Sequence, residues 1–273
     1  MNNYLKFWGV RGSHPTTYPG NLKTGGNTAC VELVIENRMF ILDAGTGIIS
    51  LGNRLISEGA PRGLAIFFSH YHWDHIHGLP FFVPAYVAGW EIDFFGPGGN
   101  EGSLEQVIRA QMSAPYFPAD IEEWRSRTNM FELNDSSLTY ENTRITPFPV
   151  HHPGHTLGYK IEWDGKAILY VPDNEIEYSH NNALFKNADI LIHDSQYFPS
   201  EYEQKRGWGH STYEATVRSA IAADVKNLFL FHHDPNHSDS QLEEMMNSVE
   251  SLKEKEGGQV NCQLAVEGLT VEI

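Results

Sequence analysis

Short apolar runs punctuate the chain from its first residues to about position 231, some alternating with polar residues and some continuous, as strands do. In order they are "YLKFWGV", "CVELVI", "RMFILDAG", "LAIFFSH", "IDFFGP", "YKIEWDG", "AILYVPD", "ADILIHDS" and "NLFLFHH". Asp164-Gly165-Lys166 joins two alternating runs and is a hairpin signal, because Asp and Gly accept the positive φ of a tight turn. Between the runs, apolar residues return at helical spacing over about 47–58, about 102–113, 211–224 and 238–256. The third of these opens on Ser211 or Thr212 as N-cap, with Glu214 in its first turn. Strands in two batches with helices interspersed predict a layered α/β domain, built on a mixed sheet or on two packed sheets. No repeat, low-complexity tract or linker divides the sequence, so a single domain over residues 1–273 is expected.

The polar residues that interrupt this pattern fall at strand ends. Asp43 follows "FIL", His70 follows "IFFS", Asp173 follows "LYVP", His193-Asp194 follow "ILI" and His232 follows "LFLF". Strand ends meeting at one sheet edge are where open α/β folds build sites. The 14 histidines sharpen the picture, because they concentrate at 70–77, 151–155 and 232–237. In "SHYHWDHIHGL" (Ser69–Leu79), His70-x-His72 can turn two imidazoles to one point, and Asp74-His75 offers a carboxylate and a third imidazole to an adjacent one. Such donors suit Zn²⁺ or another borderline divalent ion without any thiolate. A run of surface histidines is the plain alternative, and this spacing behind an apolar strand argues against it. A second ion needs a bridging acid and more imidazoles, which "PVHHPGHTLGY", "LYVPDNE" and "LFLFHHDP" provide. Two ions about 3.5–4 Å apart can hold both the attacking and the leaving oxygen of a displacement.

Composition excludes other classes. Apolar residues at 41% and charged residues at 20% fit a soluble globular protein. No apolar run approaches the roughly 20 residues of a membrane span, so no membrane partner is expected. "MNNYLKFWGVRG" lacks the basic and apolar regions of a signal peptide. Cys30 and Cys262 lie in no metal spacing and could pair only with each other, which points to a reducing cytoplasm. A net charge of −16 argues against a non-specific grip on long nucleic acid, which needs Lys and Arg to neutralise phosphates.

Over about residues 4–240 the chain resembles the metallo-β-lactamase-fold hydrolases, and within them the branch of ribonuclease Z and small cyclic phosphodiesterases. The resemblance lies in "FWGVRGSHP", "GGNTACVEL", "ILDAGTGI", "IFFSHYHWDHIHGLP", "IDFFGPGG", "HPGHTLGYKI", "YVPDNE", "ADILIHDSQY", "GHSTYEA" and "LFLFHHDP". The His-x-His-x-Asp-His core marks the superfamily, and "GHST" before a helix marks the branch. The resemblance implies an αββα four-layer sandwich with two packed mixed sheets and two divalent ions, zinc first with Mn²⁺ or Fe²⁺ as alternatives. It implies that His70 and His72 bind one ion with a histidine of the 151–155 cluster, that Asp74, His75 and His232 bind the other, and that Asp173 bridges. His152, six residues ahead of Gly158-Tyr159, matches the phosphodiesterase branch, whereas His155 of "PGHT" would match glyoxalase-like members. His232 is preferred to His233 as the first polar residue after its strand. His210 looks like the general acid or charge stabiliser at the scissile phosphate. Asp43 is expected to support the ligand loop by hydrogen bonds. Asn27 is either a pocket residue or a turn residue, and His193-Asp194 either a buried pair or support for the ligands. Trp90, Trp124 and Trp208 are core or interface residues by default, with base stacking as the alternative.

A ribonuclease Z of this branch carries a long arm between the third and fourth metal motifs, where this chain has only "HPGHTLGYKIEWDGKAILYVPD". The expected substrate is therefore a small phosphodiester, a cyclic nucleotide above others, with no long nucleic acid as partner. The reaction would be in-line attack by a hydroxide held between the metals, Asp74 orienting it or taking its proton and His210 assisting the leaving alkoxide. Residues 97–147, with "QMSAPYFPADIEEWRSR", are the expected lid or partner surface, and a homodimer the expected assembly. The rival readings are a lactone or thioester hydrolase, a tRNA 3′-end endonuclease and a nucleotide-binding sensor; a closed structural zinc cage ranks last.

Overall fold

In the computed structural model of the protein, residues 3–60, 62–99, 102–134, 136–176 and 182–273 are described. They form two mixed seven-stranded sheets, one in each of two compact units that interleave along the chain.

The first unit comprises Met1–Gly9, Asn27–Asn134 and Glu267–Ile273. Its sheet has the order β14-β1-β2-β3-β4-β5-β6, formed by β1 (Tyr4–Gly9), β2 (Cys30–Ile35), β3 (Arg38–Leu42), β4 (Gly63–Phe67), β5 (Glu91–Pro97), β6 (Arg127–Leu133) and β14 (Thr270–Glu272). Pairing is antiparallel from β14 to β3 and parallel from β3 to β6. The central strands are nearly continuous apolar runs because successive residues, which point to opposite faces, are both buried. Helix α1 (Gly47–Glu58) buries Ile48, Leu51 and Leu55 and ends on Gly59 in the left-handed conformation. The short α2 (Trp73–Ile76) follows β4, and α3 (Leu104–Gln111) opens on a Ser103–Gln106 capping box.

The second unit comprises Val10–Gly26 and Asp135–Val266. Its sheet has the order β13-β12-β11-β10-β9-β8-β7, formed by β7 (Leu138–Tyr140), β8 (Thr143–Pro149), β9 (Leu157–Trp163), β10 (Lys166–Val171), β11 (Ile190–Asp194), β12 (Asn227–Phe231) and β13 (Asn261–Leu264). Pairing is antiparallel from β7 to β10 and parallel from β10 to β13. The β9–β10 hairpin turns on Asp164 (φ 43°) and Gly165 (φ 72°), with Trp163 opposite Lys166, as the sequence predicts. Helices α4 (Pro199–Lys205), α5 (Tyr213–Ala222) and α6 (Asp239–Glu256) accompany the parallel half. Thr212 caps α5 by accepting the Ala215 N–H, and Ser238 caps α6 in a capping box with Gln241.

Each unit thus runs antiparallel strands into four parallel ones, an architectural repeat with no counterpart in the residue pattern. Every run read as a strand forms one. The missed strands are edges or irregular. β6 buries only Leu133, while β7, β13 and β14 are three or four residues long. β8 carries Pro147 and Pro149, which demote a sequence as a strand. Both lie beyond the stretch of β8 that pairs with β7, which runs from Thr143 to Ile145.

Strand ends carry the chemistry. Asp43 follows β3, His70 follows β4, Asp173 follows β10, Asp194 closes β11 and His232 follows β12. Asp43 (φ 58°) and His232 (φ 59°) both adopt the left-handed region, which non-glycine residues take sparingly and often at functional sites. Cys30 and Cys262 are buried free thiols. Among the described residues no helix is long and apolar enough to cross a membrane.

Candidate metal centre

In the first unit, the loop from β4 into α2 is organised around Asp43. Its Oδ1 accepts the Ser69 backbone N–H at 2.7 Å, and its Oδ2 accepts the Ser69 hydroxyl at 2.8 Å and the His75 Nδ1–H at 2.7 Å. Since Ser69 spends its proton on Asp43, its Oγ accepts from His70 Nδ1, 3.0 Å away. Both imidazoles therefore carry their proton on Nδ1 and present Nε2 as a lone pair, the arrangement metal-binding histidines use. The His70 ring lies 4.4 Å from that of His72 and 4.3 Å from that of His75. Asp74 Oδ2 stands 3.3 Å from His75 Nε2. Asp43, His70, Asp74 and His75 are buried, and His72 is exposed. Asn27 is held in a local network, donating to Glu267 and accepting from Thr46.

In the second unit, Asp173 faces two histidines, one with each oxygen. Oδ1 lies 3.2 Å from His232 Nε2 and Oδ2 lies 3.5 Å from His152 Nε2. The other ring nitrogens are committed elsewhere. His152 Nδ1–H donates to the Gly209 carbonyl at 2.9 Å, and His232 Nδ1–H to Gln196 Oε1 at 2.9 Å. His210 lies outside every sequence cluster, yet His152, Asp173 and His210 bring donor atoms within 4.8 Å of one another. Its Nδ1–H donates to Asp194 Oδ2 at 2.7 Å, and its ring stacks on that of His232 at 4.9 Å. His155 is exposed, and His233 turns to the Ala265 carbonyl at 3.0 Å. Burial, with Arg11 nearby, pushes His233 down to about 3. His193 is a neutral core histidine, held below the ordinary histidine range by burial and bonded to the Asp194 carbonyl, Thr216 and Asn174. The His193-Asp194 pair thus divides: the first is structural, and the second holds His210.

These donors fit divalent cations. With Nδ1 bonded elsewhere, His152 and His232 each turn Nε2 toward one carboxylate, and His75 and Asp74 repeat the arrangement in the other unit; imidazole nitrogens and carboxylate oxygens gathered in this way are the donors that divalent cations take. Of the groups that set it, Asp43 is expected from the sequence, whereas Gln196 and the Gly209 carbonyl are not. Replacing Asp43 by asparagine conserves volume but leaves one acceptor oxygen for the Ser69 N–H, the Ser69 hydroxyl and the His75 Nδ1–H, which now share two. Metal affinity should fall about 10- to 100-fold, measured by competition with a chelating dye. An unchanged affinity would show that Asp43 does not orient these imidazoles.

Two mixed sheets with an imidazole- and carboxylate-rich set at their strand ends define a metal-dependent hydrolase of the metallo-β-lactamase fold. Residues 38–233 match the Beta-lactamase superfamily domain, and the chain belongs to that family. It is similar to ribonuclease Z of Picrophilus torridus, at 23% identity over 292 residues, covering 91% of this chain and 90% of the relative. Among solved structures it is similar to the metallo-beta-lactamase fold protein YhfI from Bacillus subtilis, with a TM-score of 0.75 at 18% identity over 100% of both chains. It is also similar to a diphosphatase from the PhnP family, with a TM-score of 0.69 at 17% identity over 99% of this chain and 98% of that one. The expectation that long nucleic acid is no partner draws no support from a relative named as a ribonuclease.

Proposed function

We propose that this enzyme is a dinuclear phosphodiesterase acting on a small phosphodiester, with a cyclic nucleotide as the favoured substrate. His70, His72 and His152 would hold one divalent ion, and Asp74, His75 and His232 the other, with Asp173 shared between them. Zinc suits this imidazole and carboxylate set, and Mn²⁺ or Fe²⁺ would accept the same donors. When bound, such ions supply Lewis acidity and an activated water. Asp74, through Oδ2, is the carboxylate placed to orient the nucleophile or take up its proton. His210 hands a proton from Nε2 to the departing oxygen while Asp194 fixes its ring from Nδ1.

The Asp194–His210 pair is the observation that carries this reading. An alkoxide leaving group needs a proton donor beside the attack site, and a buried carboxylate holding an imidazole at 2.7 Å is built for that task. A thiolate departing from a thioester would leave the pair without work. The segment 97–147 is proposed as lid and homodimer contact, since Tyr116 is 81% exposed within it. Buried free cysteines suit a cytoplasmic home.

A second reading, cleavage of a long RNA, is favoured by the ribonuclease Z relative that spans most of the chain. The net charge of −16 and the tight β9–β10 turn favour the small substrate. The metal-loaded enzyme should be assayed on bis-(p-nitrophenyl) phosphate, cyclic nucleotides, a lactone series and a tRNA precursor, with and without chelator. Chelator-sensitive turnover of diesters is expected. Turnover of lactones alone would sink the proposal, and a higher kcat/KM on the tRNA precursor would move the assignment to RNA.

A further inference from the structure

Trp208 stands apart from the other tryptophans singled out in the sequence. Its residue surface is 61% exposed, whereas Trp90 and Trp124 are buried in the core. A single exposed aromatic on a loose loop would mean little. This one rides on a backbone held at three consecutive amides. Gly207 N–H donates to Glu175 Oε1 at 2.9 Å, Trp208 N–H to the Lys205 carbonyl at 3.1 Å, and Gly209 N–H to Glu175 Oε2 at 3.1 Å. Glu175 is fully buried, and its Oε1 also accepts the Tyr202 hydroxyl at 2.7 Å. A buried carboxylate needs such donors as much as the loop needs its acceptor, so each fixes the other.

The held segment lies against the candidate site of the same unit. Gly209 sits so close to His152 that a Cβ there would stand 2.3 Å from Nδ1, and its φ of 88° is one that side-chain-bearing residues rarely adopt. Its carbonyl receives the His152 Nδ1–H, and the next residue is His210. The Trp208 Cα is therefore one peptide, about 3.8 Å, from the Cα of the residue that carries both contacts.

We infer that Trp208 is a stacking platform for an aromatic ring of the substrate, a nucleobase attached to the scissile phosphodiester; the substrate half of this inference rests on the phosphodiesterase reading above. Because the backbone is already ordered, stacking freezes only the two side-chain torsions of the indole. The π-face of a base suits such a platform whatever its hydrogen-bonding edge, so selectivity would favour aromatic over aliphatic diesters and discriminate little among bases.

The test pairs two cyclic diesters that differ in the ring, 2′,3′-cyclic AMP and glycerol 1,2-cyclic phosphate. Trp208→Ala should lower kcat/KM for 2′,3′-cyclic AMP roughly 5- to 150-fold, mainly through KM, while Trp208→Phe retains most of it. Glycerol cyclic phosphate should be hydrolysed as by the wild type. Equal losses on both diesters would overturn the inference, since the loop would then act only by holding His152 and His210. No loss on either would overturn it too. Binding of adenosine 5′-monophosphate to the metal-loaded protein, followed by calorimetry, gives a readout free of turnover, and Trp208→Ala should weaken it by a similar factor. Should the wild type hydrolyse no diester, the phosphodiesterase reading falls, and the calorimetry decides the platform by itself. An equal Kd in wild type and Trp208→Ala, or no binding by the wild type, refutes it.

Discussion

Asp173→Ala should abolish turnover and leave the protein with less than its full metal complement, measured by elemental analysis after gel filtration. The reason lies in how the carboxylate is shared. Oδ1 stands 3.2 Å from His232 Nε2 and Oδ2 stands 3.5 Å from His152 Nε2, so one residue serves two imidazoles. Both rings spend Nδ1 on the far side, on Gln196 and on the Gly209 carbonyl, so each turns Nε2 toward Asp173. Removing the carboxylate takes a negative charge from between two lone-pair donors and leaves each proposed ion short of a ligand. Asp173→Asn separates charge from shape: it keeps one oxygen and should retain metal more weakly than wild type and better than alanine. Full stoichiometry of both ions in Asp173→Ala would refute the bridging role, whatever the activity.

What could be read from the sequence depended on how far apart cooperating residues lie. The buried strands were legible because burial imposes apolar runs, and α1 was legible because its inward face repeats at helical spacing. His70, His72, Asp74 and His75 were legible because one loop carries all four. Of their support only Asp43, the acid after an apolar run, was legible. Gln196 reaches His232 across 36 positions and the Gly209 carbonyl reaches His152 across 57. No periodicity connects such positions, because the sheet order brings them together after the chain has passed through other elements. A backbone carbonyl leaves no trace in a sequence at all. Asp194 and His210 were each visible in the sequence, but the bond between them, sixteen residues apart, was not. Glu175 shows the same limit: its three donors, Tyr202, Gly207 and Gly209, lie 27 to 34 positions away.

His210→Ala separates chemistry from metal binding. The residue is 8% exposed and held by Asp194 at 2.7 Å, and it is outside the proposed ligand set, so the substitution should leave metal content and thermal unfolding nearly unchanged. If His210 protonates the leaving group, turnover of a cyclic nucleotide should fall about 10²- to 10⁴-fold, the range general acids contribute. The departing ribose oxygen is a poor leaving group and depends fully on that proton. Bis-(p-nitrophenyl) phosphate expels a phenolate that needs little protonation, so its loss should be much smaller. The ratio of the two losses is therefore the decisive quantity. Equal losses would mean that His210 acts on phosphate charge or on binding, as an imidazolium held by Asp194 can do without transferring its proton. No loss on either substrate would remove the reason for reading Asp194 and His210 as a proton-donating pair, and the lactone or thioester reading would then gain. Asp194→Asn gives an internal check. It keeps the side-chain volume but removes the carboxylate that fixes the proton on Nδ1, so it should reproduce part of the His210→Ala loss and show the same dependence on the leaving group.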